Sequence, residues 1–257
     1  MDPWPGAKPV EIRTELLYME SLERGYERSF ESRVLLAKPD YVVLDRTLFY
    51  PLGGGQDWDT GVLSPTDREP LRVTEVTKRG PVKHVVGAGH GLAEGDVVRG
   101  EIDWERRYAH MRMHTAQHLV SGLAYEMFGG TRTVGNQLHA DRSRIDFRPV
   151  DFTEAMLKDL EAAANDVVRA GCDVVASTMT RAEVNAELPE DRTNMDLLPK
   201  SVQELRVIRI GDDVDLCPCA GTHVQNTREI GEVQVLGRRS KGSGTQRVEY
   251  TLAGLGG

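Results

Sequence analysis

Apolar positions between residues 14 and 100 come in short runs separated by turn-forming residues, at 16–19, 34–37, 41–44, 73–76, 82–86 and 97–102. Runs of this length at hairpin-like spacing predict the strands of a small antiparallel barrel. The texture then changes. Residues 102–121 contain neither Pro nor Gly and are rich in Ala, Met and Leu, which predicts one helix, stopped by Gly129-Gly130. Beyond it, 131–138 and 143–147 read as strands, the second alternating Ile145 and Phe147 with charged neighbours. Thr153 caps a helix that runs to Ala170, turns Leu157, Leu160, Ala164 and Val167 to one side, and ends at Gly171. Thr180-x-x-Glu183 is a capping box opening a short helix that closes near Leu188-Pro189. A strand over 205–210, a turn at Gly211-Asp212-Asp213, and strands over 233–236 and 247–252 complete the chain. The expected fold class is α+β: an N-terminal small antiparallel β-barrel domain over 1–100, then an α+β domain over 101–257 with helices packed on an antiparallel sheet. Residues 1–13 hold three prolines and no period, and read as a loose arm or edge segment.

Composition narrows the class. At 257 residues, 39% hydrophobic and 28% charged, the chain suits a soluble globular protein with ample length for a core. No apolar run is long enough to cross a bilayer and no basic-then-apolar leader opens the sequence, so the expected compartment is the cytoplasm, with no membrane partner. Three cysteines, an odd number, argue against a disulfide framework. The net charge of −8 does not exclude nucleic acid, because exposed charges act over only about 8 Å at physiological salt. Between Glu232 and Glu249 every charged residue is basic: Arg238, Arg239, Lys241 and Arg247.

Two spacings carry chemistry. His114 and His118 lie four residues apart on the long helix, so both imidazoles face one way and can share an ion. His110 lies on the same face one turn earlier. A zinc protease of the His-Glu-x-x-His kind needs Glu directly after the first histidine; Thr115 stands there, which argues against peptide hydrolysis. Far downstream, Cys219-Ala220-Gly221-Thr222-His223 adds a thiol and a third imidazole, giving a plausible zinc set. Spacing does not separate Cys219 from Cys217, nor a catalytic metal from a closed one that staples helix to sheet. Gly53-Gly54-Gly55-Gln56 reads either as a tight turn or as a close backbone approach to a phosphate, a nucleotide or the second domain. It is not a Walker loop, since no Gly-Lys-Ser/Thr follows.

Taken together, His114-Thr115-Ala116-Gln117-His118, Cys219-Ala220-Gly221-Thr222-His223-Val224 and the Gly53-Gly54-Gly55-Gln56 loop resemble the freestanding alanyl-tRNA editing proteins called AlaX, relatives of the editing domain of alanyl-tRNA synthetase. Phe49-Tyr50-Pro51, Asp59-Thr60-Gly61, Ile102-Asp103-Trp104, Arg106-Arg107, Arg144-Ile145-Asp146-Phe147 and Glu229-Ile230-Gly231 follow the family's order, and the likeness to the medium-sized form spans about 14–252. The resemblance implies a trans-acting hydrolase for tRNA(Ala) mischarged with serine, with glycine as a second substrate. It implies one Zn2+ per chain held by His114, His118, Cys219 and His223, Ala220 standing where the family has glycine. Thr133 and Gln137, just after the helix, are the expected catalytic-pocket residues for reading the serine hydroxyl, with Thr131 a third candidate. Gly53, Gly54, Gly55, Gln56, Lys241 and Arg247 are the expected tRNA contacts. Monomer and dimer both stay open.

Overall fold

The computed structural model describes residues 12–189, 192 and 201–255; the arm expected over 1–13 lies, up to residue 11, outside them. The first element, β1 (Glu15–Leu16), pairs in parallel with β4 (Arg46–Thr47). Leu17–Met19 form a 3-10 turn instead of extending the expected strand. Leu17 and Tyr18 are buried in succession, which a helical turn permits and the two-residue alternation of a strand does not. A short helix, α1 (Leu22–Gly25), follows.

Seven strands then build one antiparallel sheet: β2 (Ser29–Ala37), β3 (Tyr41–Leu44), β5 (Gly61–Pro65), β6 (Leu71–Val73), β7 (Glu75–Thr77), β8 (Lys83–Val85) and β9 (Val97–Ile102). Their order is β6-β5-β9-β2-β3-β8-β7. The two margins, β6 and β7, are consecutive in the chain with only Thr74 between them. A flat sheet cannot bring its margins that close, so this one curls into a nearly closed barrel. The single run expected over 73–76 is broken at that seam, where the Thr74 N–H donates to the Val85 carbonyl at 3.0 Å. Strand β2 serves both walls, pairing with β9 in its first half and β3 in its second, and it bends at a register irregularity between Val34 and Leu36. Phe30, Val42, Leu44, Phe49, Leu63 and Val98 fill the interior.

The remaining elements are α2 (Trp104–Met127), β10 (Arg132–Leu138), β11 (Ser143–Arg148), α3 (Glu154–Ala170), β12 (Val174–Thr180), α4 (Arg181–Glu187), β13 (Glu204–Ile210), β14 (Asp215–Pro218), β15 (Val233–Ser240) and β16 (Gln246–Leu252). They form two further antiparallel sheets, β10-β11-β16-β15 and β12-β13-β14. Met111, Met113 and Leu119 of α2 share one core with Leu160 of α3, Phe147 and Val248 of the first sheet and Ile208 of the second. On α3 the buried stripe is Leu157, Leu160, Ala164 and Val168; Val168 replaces the expected Val167 because eleven residues after Leu157 complete three turns. The Thr180–Glu183 capping box opens α4 as expected.

Helix α2 runs through Gly122 and ends short of Gly129-Gly130, the expected stop. A Cβ on Gly122 would stand 2.2 Å from the Val214 carbonyl oxygen, so the missing side chain is what lets the β13–β14 turn lie against the helix. At its other end α2 is anchored to the barrel by Arg107 and Asp59, both fully buried. The guanidinium also donates to the carbonyls of Gly25 (2.9 Å) and Leu48, and Asp59 accepts from the Tyr50 N–H at 2.7 Å. A buried ion pair survives only when its other hydrogen bonds are also met, as here. The anchor fixes the axis and rotation of the helix that carries the histidines.

Candidate metal centre and its cavity

His114 and His118 are one helical turn apart and both almost fully buried. The loop after β14 folds back over them, bringing Cys219 Sγ to 3.5 Å from His114 Nε2 and 3.3 Å from His223 Nε2. The ligand-type atoms of His114, His118, Cys219 and His223 all lie within 4.8 Å of one another. A tetrahedral zinc with its usual Zn–N and Zn–S lengths sets sulfur-to-nitrogen edges of about 3.6 Å, so the two observed edges suit such an ion.

The outer contacts of the imidazoles supply a separate test of the donor set. His114 Nδ1 meets Gln56 Oε1 at 2.8 Å, and His118 Nδ1 meets Asp215 Oδ2 at 2.9 Å. His223 Nδ1 meets Thr115 Oγ1 at 3.2 Å. Thr115 donates its own proton to the Met111 carbonyl (2.9 Å), so its oxygen is left to accept. With an acceptor facing each Nδ1, the protons sit there and the three Nε2 lone pairs point inward, the arrangement metal-bound histidines use. The residues present therefore fit a single bound cation of the zinc type.

Electrostatics single out the anionic donor and pair it with a charged His118, whose Nε2 proton a bound cation would replace. Burial raises the Cys219 thiol, but the imidazoles of His114, His223 and His118 more than reverse this and hold it well below its ordinary 9.0. Burial alone would lower His118, yet Cys219 and Asp215 outweigh it and push it up to about 10. Burial, with His114 beside it, keeps His223 well below 6.5. Cys217 behaves oppositely: burial, then Asp215 and Cys219, raise it well above 9.0. Of these two cysteines, Cys219 is the one favoured as the thiolate, which is the metal-binding form. His110, one turn before His114, stays out of the cluster. It is buried, both ring nitrogens lack a partner among the described residues, and burial lowers its pKa to about 4.

A cavity of about 480 Å³ opens beside the cluster, within the size range of small-molecule sites. His114, His118 and Cys219 line it and His223 does not, so approach is from the side of the first three. Thr133 lines the wall, its hydroxyl 2.7 Å from that of Ser121. Gln137 does not reach the cavity. A register irregularity between Thr133 and Gly135 shifts the alternation of β10, so Asn136 takes the inward position and Gln137 faces out, accepting from Arg144 Nε at 2.9 Å. Thr131 borders the cavity, but its hydroxyl is used by the carbonyls of Phe128 (3.0 Å) and Pro149 (2.9 Å).

The glycine-rich loop divides in two. Gly53 and Gly54 line the cavity mouth. Gly55, at φ +84°, packs against Asn136, and its carbonyl accepts from the Leu138 N–H at 2.8 Å. Gln56 is a correction to the expected RNA contact: it is fully buried and turned inward, its amide holding His114 and Thr222 Oγ1 (3.0 Å). Arg247 and Lys241 lie away from the cavity. Arg247 makes a two-pronged pair with Asp146 across the strands, 2.7 and 2.9 Å, and Lys241 is exposed at the β15–β16 hairpin.

Sequence reasoning did not find Asp215, Thr115 as an acceptor, or Arg192. Arg192 Nη2 is 2.7 Å from Asp215 Oδ1, and its guanidinium lies over the Tyr125 ring at 4.4 Å, walling the cavity. Asp215 sits two residues before Cys217 in a polar-apolar strand pattern, which gave no signal beyond an acid near cysteines.

Residues 205–249 match the family described as threonyl and alanyl tRNA synthetase second additional domain, and residues 16–106 match tRNA synthetases class II (A). The alanyl-tRNA editing protein AlaX-M of Methanosarcina barkeri is 37% identical over 245 residues, covering 93% of this chain and 99% of its own length. That of Saccharolobus solfataricus is 35% identical with the same coverage of both. The alanine–tRNA ligase of Thermococcus kodakarensis is 37% identical over 240 residues, 92% of this chain but 25% of the ligase. With a relative of that identity matched over nearly its whole length, the chain belongs to the family of the AlaX-M alanyl-tRNA editing proteins.

Proposed function

We propose that the protein is a trans-acting deacylase that removes serine, and also glycine, from mischarged tRNA(Ala) by zinc-assisted ester hydrolysis. The observation that carries this reading is the three-histidine, one-cysteine cluster, with every Nδ1 already engaged, at the base of a cavity large enough for the aminoacylated end of a tRNA. A cation held by His114, His118, Cys219 and His223 would supply Lewis acidity toward an ester carbonyl or lower the pKa of a water.

The chain's own groups do the rest. Gln56, Asp215 and Thr115 hold the imidazoles in one tautomer and orientation. Asp215 is the one carboxylate among the described lining residues, and both its oxygens are engaged, by His118 and Arg192. The ribose hydroxyl of an aminoacyl ester is a good leaving group, so a strong acid is not needed there. Discrimination falls to the wall opposite. The Ser121–Thr133 hydroxyl pair, continued by Gln117 and Asn136, offers a polar partner for a serine hydroxyl. Alanine would leave those half-buried groups without a substrate partner, the situation in which a site rejects an analogue lacking a hydroxyl.

The test is release of labelled serine from Ser-tRNA(Ala), with Ala-tRNA(Ala) beside it and a chelator control. Chelator-sensitive loss of serine with alanine retained is expected. A metal-loaded protein that spares both esters would leave the cluster a staple between α2 and the sheet and overturn the reading.

A further inference from the structure

The outer face of the sheet β10-β11-β16-β15 stands apart from the rest of this acidic chain. Ile145, Phe147, Val248 and Tyr250 point inward and are buried, so the alternate residues of the same strands face outward. Register places Arg132 opposite Arg148, and Gln137 opposite Arg144 and then Glu249. It places Asp146 opposite Arg247 and then Arg239. Lys241 joins them from the hairpin. Burial raises the Asp146 carboxyl while Arg144 and Lys241 pull it back, which puts Lys241 within electrostatic reach of this face. Six basic side chains thus share one face with two carboxylates. Both acids are engaged from within: Asp146 by Arg247, and Glu249 by Arg239 at 3.7 Å.

The chain carries a net charge of −8, so such a face is a local reversal of sign. Four strands at their usual spacing make a platform about 14 Å wide, comparable with the width of an RNA duplex groove and its flanking phosphates. The platform is also continuous with the cavity. Strand β10 is its edge, and Arg132 at the end of β10 belongs both to the basic face and to the cavity lining.

We infer that this sheet face is the docking surface for the double-stranded acceptor stem of the tRNA, with the single-stranded 3′ end crossing the β10 edge past Arg132 into the cavity. The inference rests on the proposed deacylase function. It adds where the duplex lies and assigns Arg132, Arg144, Arg148 and Arg239 to phosphate contact. Such contacts position the substrate, carry no sequence information, and make affinity steeply salt-dependent.

The test reverses two exposed charges that touch neither the cluster nor the cavity, in the Arg148→Glu/Arg239→Glu protein, with Arg148→Gln/Arg239→Gln as the milder pair. The metal-loaded full chain is assayed on Ser-tRNA(Ala) and on 3′-O-seryl-adenosine. On the tRNA, kcat/KM is expected to fall at least about tenfold, and the slope of its logarithm against log salt to lose about 2, near 0.9 for each lost phosphate contact. On the seryl nucleoside both variants should match the wild type. Unchanged salt slope and kcat/KM on the tRNA would overturn the inference, as would an equal loss on both substrates. Failure of the wild type on both esters would sink the deacylase reading instead. Gel-shift titration of uncharged tRNA would then decide the surface alone, through whether the charge reversals weaken binding.

Discussion

The glycine directly before Thr222 is the sharpest probe of how the metal centre is held. A Cβ built on Gly221 would stand 2.1 Å from His114 Cε1 and 2.3 Å from its Nδ1. Carbon atoms in contact keep about 3.5–4.0 Å, so in Gly221→Ala the imidazole must retreat by about 1.5 Å. Metal–nitrogen bonds tolerate about 0.2 Å, so the ligand is lost to the ion rather than bent. The retreat also breaks the 2.8 Å contact between His114 Nδ1 and Gln56. Losing an outer partner alone lowers metal affinity about 10–100-fold, and losing the ligand with it should exceed that range. The neighbouring Ala220 already carries a methyl without penalty because it is exposed, so the effect is specific to one of two adjacent positions. The assay is competition for zinc against a chromogenic chelator, with far-UV circular dichroism to verify the fold and deacylation of Ser-tRNA(Ala) as the activity readout. Gly221→Ala binding zinc with wild-type affinity would refute the placement of His114.

Two other perturbations probe the scaffold. Arg107→Ala leaves the Asp59 carboxylate buried without its partner and should destabilise the fold by about 3–5 kcal/mol, read as a lower urea midpoint; a loss under about 1 kcal/mol would contradict the anchor. Burial lowers the folded pKa of His84 and His110 to about 4, against 6.5 in an unfolded chain. The unfolded state therefore takes up protons first as pH falls. Their contribution is complete above pH 6.5 and is lost down to about 4, at about 1.4 kcal/mol per pH unit for each histidine. His84→Gln should remove one proton's worth of this slope between pH 6.5 and 4.5 in urea titrations, and coincident slopes would show His84 is not held neutral.

What could be read without coordinates was whatever rests on local spacing. The helix from Thr153 to Gly171 has its boundaries written as a hydroxyl cap and a left-handed glycine, and it forms there. The strands at Tyr41–Leu44 and Val97–Ile102 match their apolar runs. The i,i+4 histidines and the Cys-x-x-x-His loop are brought together by the fold. What escaped depends on partners distant in sequence. Gly122 shows no reason for its missing side chain until Val214 is placed against it. Gln137 is expected in the pocket and Asn136 is overlooked, because a one-residue irregularity in strand pairing leaves no mark in composition. Gln56, polar and beside three glycines, read as a surface residue; its burial follows from His114, 58 positions away, needing an acceptor.

That last contact reaches beyond the metal centre. Gln56 belongs to the loop that grows out of the barrel strands, whereas the four donor residues all come from α2 and the segment after β14. A version trimmed of everything before α2 would keep each ligand yet lose the group that orients His114. The barrel is therefore not a detachable accessory. Thermodynamic reciprocity then requires that a cation bound more tightly with Gln56 in place must itself favour seating of the glycine-rich loop on β10. Metal occupancy and closure of the interface between the two halves should rise and fall together, so protease sensitivity of that loop would report, from a distance, on whether the centre is filled.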